Sequence, residues 1–229
     1  MVWRVVRIDF TDRQKCNFCS RSITVGFGHV VVNEGGIERY AGPTCVRKIE
    51  NVTNVGERVP NLTTGFFVEE NAAPEEVGIG DNEQELQPNL LQNIAIQNEY
   101  NEEAAISYLL LRMEKLRDVT RVRYNALDDV YLRYINNSLS ESDFQFIRCL
   151  MYSLEYPEFS MRNLQKIYYC KFIIDLLIKE NESDSDYLNT VRRYLYNRLR
   201  LTTGYVNILN KKLTGKPFKL KENFFTLHI

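Results

Sequence analysis

The chain has 229 residues, of which 44% are apolar and 26% charged, with a formal net charge of -1; this composition describes a folded globular protein of one large or two modest domains and excludes a low-complexity chain. No apolar run reaches the roughly 18 residues of a membrane helix, and Met1-Val2-Trp3-Arg4 lacks the layout of a secretory signal, so a soluble intracellular protein of cytoplasm or nucleus is expected. The small total hides a segregation along the chain: residues 1–65 hold nine Lys/Arg against six Asp/Glu, 66–103 hold ten acids and no base, and 104–229 hold twenty bases against fourteen acids.

From the N-terminus, Val2 to Phe10 alternates bulky and polar residues imperfectly, as a half-buried strand does. Cys16-Asn17-Phe18-Cys19 follows, then two β-like stretches, Ile23-Thr24-Val25 and His29-Val30-Val31-Val32, a Gly35-Gly36 turn and Ile37 to Tyr40, which together read as a hairpin. Gly42-Pro43-Thr44-Cys45 carries the signals of a helix start, and a short helix is expected after it. Residues 63–97 are acidic, rich in Asn, Gln, Gly and Pro, and too poor in aromatic residues to offset their ordering entropy, so they read as a linker. Leu90, Leu91, Ile94 and Ile96 leave room for a short docking segment within it.

Helical periodicity dominates residues 98–229. Ile106, Leu109, Leu110, Met113 and Leu116 form a core-facing stripe, and a second helix is expected over Val119 to Ile135. Ser140-Glu141-Ser142-Asp143 resembles a capping box before the apolar run 144–154, which Pro157 stops. Ser160 is placed to cap a fourth helix through Leu177, and a fifth is expected to run to Leu201 with Thr202-Thr203-Gly204 as its stop. The expected architecture is α+β but mainly α: a zinc-bound β-hairpin/helix module over 1–62, the acidic linker, and an irregular bundle of about five or six helices.

Five cysteines, an odd number with two in one tight pair, favour metal over disulfides. Cys16-x2-Cys19 lets two thiolates from one turn reach one tetrahedral ion, and Cys45 at a helix start completes the layout of a treble clef. Cys16-Asn17-Phe18-Cys19-Ser20-Arg21 and Gly42-Pro43-Thr44-Cys45-Val46-Arg47-Lys48 resemble a short zinc-finger family scattered through bacterial and phage proteins, over about residues 14–49. The resemblance implies a structural Zn2+ and, loosely, a role in nucleic-acid handling. Ser20 stands where that family usually has Gly. His29 is the expected fourth ligand, a plain strand histidine or a site completed by water or an acid being the alternatives. Cys149 and Cys170 lie in apolar helical stretches and are expected in the core.

From Tyr187 to Lys221 there are nine bases and no acid. Arg192, Arg193, Tyr196 and Arg200, with Lys211 and Lys212, suit phosphate contact and base stacking, while a solvated helix face or a patch covered by the acidic linker is the competing reading. Arg39, Arg47 and Lys48 beside the metal ligands, and Lys115, Arg117, Arg121 and Arg123 further on, would extend the surface. No nucleotide-binding loop, nucleophile elbow or HExxH motif is present. The expected function is therefore a zinc-stabilised, non-enzymatic nucleic-acid-binding accessory or regulatory protein. The alternative is a virus- or phage-type interaction factor that docks on a protein partner or larger assembly without intrinsic nucleic-acid affinity; neither reading involves a membrane or a small-molecule substrate.

Overall fold

The computed structural model describes residues 2–12, 15–19, 21–49, 51–54, 56–63, 102–153, 155–221 and 224–225. The segment read as a linker, apart from its first residue, lies outside the described residues, as do its four apolar positions, Ser20 and His228. Among the described residues the fold is α+β and mainly helical, with a four-stranded sheet and six α-helices.

The sheet comprises β1 (Trp3–Phe10), β2 (Phe27–Asn33), β3 (Glu38–Ala41) and β4 (Val52–Thr53), in the order β3-β2-β1-β4. β2 runs antiparallel to both neighbours, whereas β4 pairs parallel to β1. The imperfect alternation of β1 has a physical cause: the register shifts between Val5 and Arg7, so Val6 is a bulge. Val5, Ile8 and Phe10 lie opposite Val31, His29 and Phe27 respectively, which brings these six side chains to one face despite their uneven spacing. Arg7 and Asp9 share the other face. Ile23 to Val25, expected as a strand, is irregular, and the helix expected after Cys45 is a single 3-10 turn, Val46–Lys48.

The helices are α1 (102–110, continuing as a π-helical turn Leu111–Lys115), α2 (Ala126–Ile135), α3 (Glu141–Met151), α4 (Met161–Glu180), α5 (Ser185–Arg198) and α6 (Thr203–Lys212). α2 starts seven residues later than expected, after a separate 3-10 turn Thr120–Val122. Leu199 takes a left-handed backbone (φ 53°) that closes α5, and Thr202, expected to stop that helix, instead caps α6 by accepting from the Tyr205 N–H. α4 is the central helix and buries residues on several sides, among them Leu164, Ile167, Tyr168, Ile173 and Leu177. Cys170 is fully buried, but Cys149 is exposed on α3 and is not a core residue.

The sheet and the helices share a boundary made by the end of β1. Phe10 and Leu62 belong to the large helical core, with the Phe10 ring 4.9 Å from that of Tyr169 and 5.4 Å from those of Tyr168 and Phe172. A smaller cluster of Val5, Cys16, Ile23, Val31, Ala41 and Val46 lies under the sheet. Gly26 (φ +75°) admits the Phe218 ring where a Cβ would lie 2.4 Å from it. Asp9, 1% exposed, is held by the Lys115 ammonium at 2.6 Å, the Tyr168 hydroxyl at 2.6 Å, the Arg7 guanidinium at 3.1 Å and the Phe10 N–H at 2.9 Å. Burial, with the Asp9 charge beside it, pushes the Tyr168 phenol well above its ordinary value.

Candidate metal centre and basic surface

The cysteine cluster is built from two turns. In the first, the Cys16 N–H donates to the Arg21 carbonyl (3.1 Å), Lys15 and Ser22 form a β-bridge, and the Phe18 N–H points at Cys16 Sγ (3.4 Å). Asn17 pins this knuckle to β3, donating its N–H to the Tyr40 carbonyl (2.9 Å) and accepting the Tyr40 N–H on Oδ1 (2.8 Å). In the second turn the Cys45 N–H donates to the Gly42 carbonyl (2.9 Å). Pro43 cannot extend a ladder, so β3 stops and the chain folds back.

These turns bring Cys16, Cys19 and Cys45 together with their sulfur atoms all within 4.8 Å of one another. Three thiolates around one tetrahedral ion need sulfur separations of about 3.8 Å for metal–sulfur bonds of about 2.3 Å. The cluster lies close enough together that it could bind a metal. Cys16 is buried and the other two are half-buried; Trp3 and Phe18 meet edge to face (5.2 Å) alongside. Burial would raise the Cys16 thiol, but backbone hydrogen bonds from Phe18, Gly42 and Cys19 and a hydrogen bond from the Cys45 thiol draw it below its ordinary value. Burial, hydrogen bonding to Cys19 and Cys16 and the charge of both push Cys45 up to about 12. Metal ligation requires the thiolate form, so a divalent ion bound here would displace thiol protons.

His29 is not in this group, which corrects the expectation of a fourth ligand there. The β1–β2 register sets His29 opposite Ile8, and its ring lines a cavity between the sheet and the helices instead, with Nδ1 buried and unbonded. Burial, with Arg47 nearby, lowers its pKa and keeps the imidazole neutral.

The basic segment is divided between neutralised and open groups. Arg192 pairs with Asp175 (3.2 Å), Tyr196 donates to Asp118 (2.6 Å), and Lys212 contacts Asp184. Burial and the Asp118 carboxylate raise the Tyr196 phenol, so this ring is an anchored donor rather than a free stacking platform. Arg193, Arg200 and Lys211 are exposed and have no acidic partner among the described residues, and Arg47 and Lys48 are likewise exposed on the 3-10 turn beside Cys45. Of the additional bases, Lys115 is held by Asp9, Arg121 donates to the Asn197 carbonyl (2.6 Å), and Arg123 approaches Asp128 at 3.9 Å.

Sequence reading missed Asp9, Asn17 and Tyr40. A carboxylate between Ile8 and Phe10 is a signal that a strand buries an ion, but its partner Lys115 lies 106 residues away. Asn17 inside the knuckle carries no signal until β3 is alongside. No helix among the described residues is long and apolar enough to cross a membrane. No protein-family model, curated protein or solved structure matches the chain.

Proposed function

We propose that the chain is a zinc-stabilised, non-catalytic nucleic-acid-binding protein. The observation that carries the reading is the pairing of a three-sulfur cluster with exposed bases that have no acidic partner among the described residues, at two places: Arg47 and Lys48 next to Cys45, and Arg193 and Arg200 on and just after α5 with Lys211 on α6. Three thiolates select a soft divalent ion, of which zinc is the one that needs no redox change or geometric preference. Water or an exogenous ligand completes its shell, and the ion's role is structural: it ties the knuckle to the Cys45 turn beneath a core too small to do so alone.

Arg193 and Arg200 supply phosphate contacts whose strength falls with salt. Titrating labelled DNA and RNA across a salt series tests this: Arg193→Glu with Arg200→Glu should lower affinity about tenfold or more and flatten the salt slope by about two contacts. Binding that ignores both salt and these charges would remove the basic surface from the mechanism. A second reading, docking on a protein assembly, is favoured by Leu132 and Ile135, which stand 56% and 55% exposed one turn apart on α2. It expects a co-purifying protein and no affinity for either nucleic acid.

A further inference from the structure

Between the sheet and the helical domain lies a cavity of about 640 Å³, within the 300–1,000 Å³ or so typical of small-molecule sites. Its floor is the sheet face carrying Ile8 and His29, its sides are Val46 and Arg47 of the 3-10 turn and Met161 and Gln165 of α4. The lining combines apolar surface from Val5, Val59 and Ala104 with the polar side chains of Asn54, Glu57 and Arg58. One buried polar atom in it, His29 Nδ1, lacks the partner that such atoms have. The Gln165 carboxamide borders the same space from a residue only 6% exposed. Leaving a buried nitrogen unpaired is costly, so the cleft is suited to a ligand that satisfies it.

The polar inventory defines that ligand. A carboxamide presents one donor and one acceptor side by side, and a neutral imidazole adds one of each. The apolar part of the lining, Ile8, Val46 and Met161, suits a flat uncharged ring, and the exposed guanidinium of Arg47 borders the cavity where an attached phosphate would emerge. We infer that this cavity binds an adenine base, with Gln165 pairing to its amino and ring-nitrogen edge, His29 making a further hydrogen bond, and Arg47 meeting the phosphate. Glutamine pairs to adenine in this side-by-side fashion in groove recognition, and proteins that take a single base out of a strand read it through the same kind of contacts. The base arrives on a mononucleotide or on a single strand, and in the second case the inference rests on the nucleic-acid reading above.

Adenosine 5'-monophosphate and a short oligo-dA, each titrated calorimetrically into the full chain, separate the two sources. Saturable binding is expected for the mononucleotide, weakened about tenfold by Gln165→Leu and by His29→Phe, and weakened by Arg47→Ala, which changes only an exposed side chain and so leaves the fold in place. The Arg193→Glu, Arg200→Glu pair should leave mononucleotide affinity unchanged. Absence of saturable adenosine monophosphate binding by the folded chain overturns the proposal, and so does binding that Arg47→Ala and Gln165→Leu both leave intact. Mononucleotide binding without any oligonucleotide binding upholds the cavity and removes the nucleic-acid function; salt-sensitive oligonucleotide binding with no mononucleotide binding does the reverse.

Discussion

Asp9 shows how much one buried carboxylate organises. It receives Lys115 from the end of the α1 turn, Tyr168 from α4 and Arg7 from its own strand, so the sheet and two helices meet on two oxygen atoms. Removing one partner of a buried ion pair leaves the other charge uncompensated, at a cost of about 3–5 kcal/mol. Asp9→Ala should therefore lower the free energy of unfolding by about that amount in urea titration, and a loss below about 1 kcal/mol would mean the network is ornamental. His29 offers a second residue-scale prediction. Its folded pKa is depressed by burial, so the unfolded chain takes up a proton first as pH falls below about 6.5. Stability should be full above that pH and decline below it, and an NMR titration should find this imidazole protonating later than a free histidine.

At the scale of the element, α3 depends on its cap. Ser140 accepts from the Asp143 N–H (3.3 Å) and the Asp143 carboxylate accepts from the Ser140 N–H (2.9 Å), a reciprocal box. Arg133 of α2 closes on the same carboxylate at 2.6 Å, so the cap also joins two helices. The Arg133 guanidinium holds the Asp143 carboxyl well below the ordinary carboxylate range. Because the folded pKa is the lower one, this contribution is present above about pH 4 and fades as pH falls further. Ser140→Ala is expected to cost about 1 kcal/mol in thermal or chemical unfolding. Asp143→Asn should flatten the acid limb of the stability curve, and an unchanged limb would exclude the pair as its source.

These caps were legible because each is complete within four residues. The capping box at Ser140 and the cap at Ser160, where Ser160 accepts from the Asn163 N–H (3.4 Å), follow from local side-chain chemistry alone. The boundary between α5 and α6 was not. Thr202 has the same chemistry at a helix end as at a helix start, and only Leu199 adopting a left-handed backbone decides between them.

For the whole molecule a metal held by the three sulfurs would tie residues 16–19 to residue 45 and so to the sheet that carries Phe10 and Asp9. Chain purified without chelator should carry about one zinc ion per molecule by elemental analysis, and Cys45→Ser should abolish it. Stripping the ion should lower the melting temperature and loosen the N-terminal residues first in hydrogen exchange. With Cys45 pushed up to about 12, binding near neutral pH must release protons, so affinity should climb as pH rises. Proton release near zero in calorimetry in buffers of different ionisation enthalpy would show that the thiols are not the ligands.

The sequence by itself determined the mainly helical α+β class, the two caps and the Cys16–Cys19 knuckle, because periodicity, capping and the knuckle are properties of short stretches of backbone, and its motif marked Cys45 as the third member that β3, held to Asn17, brings alongside. Tertiary structure alone decided where His29 sits, since its pairing with Ile8 places that ring on the cavity wall and outside the sulfur cluster. It also decided which groups are engaged: Arg192, Tyr196 and Lys212 meet acids supplied by other stretches of the chain, while Arg193 and Arg200 have no acidic partner among the described residues. Such partners depend on which helix faces pack against each other, and burial of apolar surface, which is non-directional, selects those faces only when the whole chain has closed.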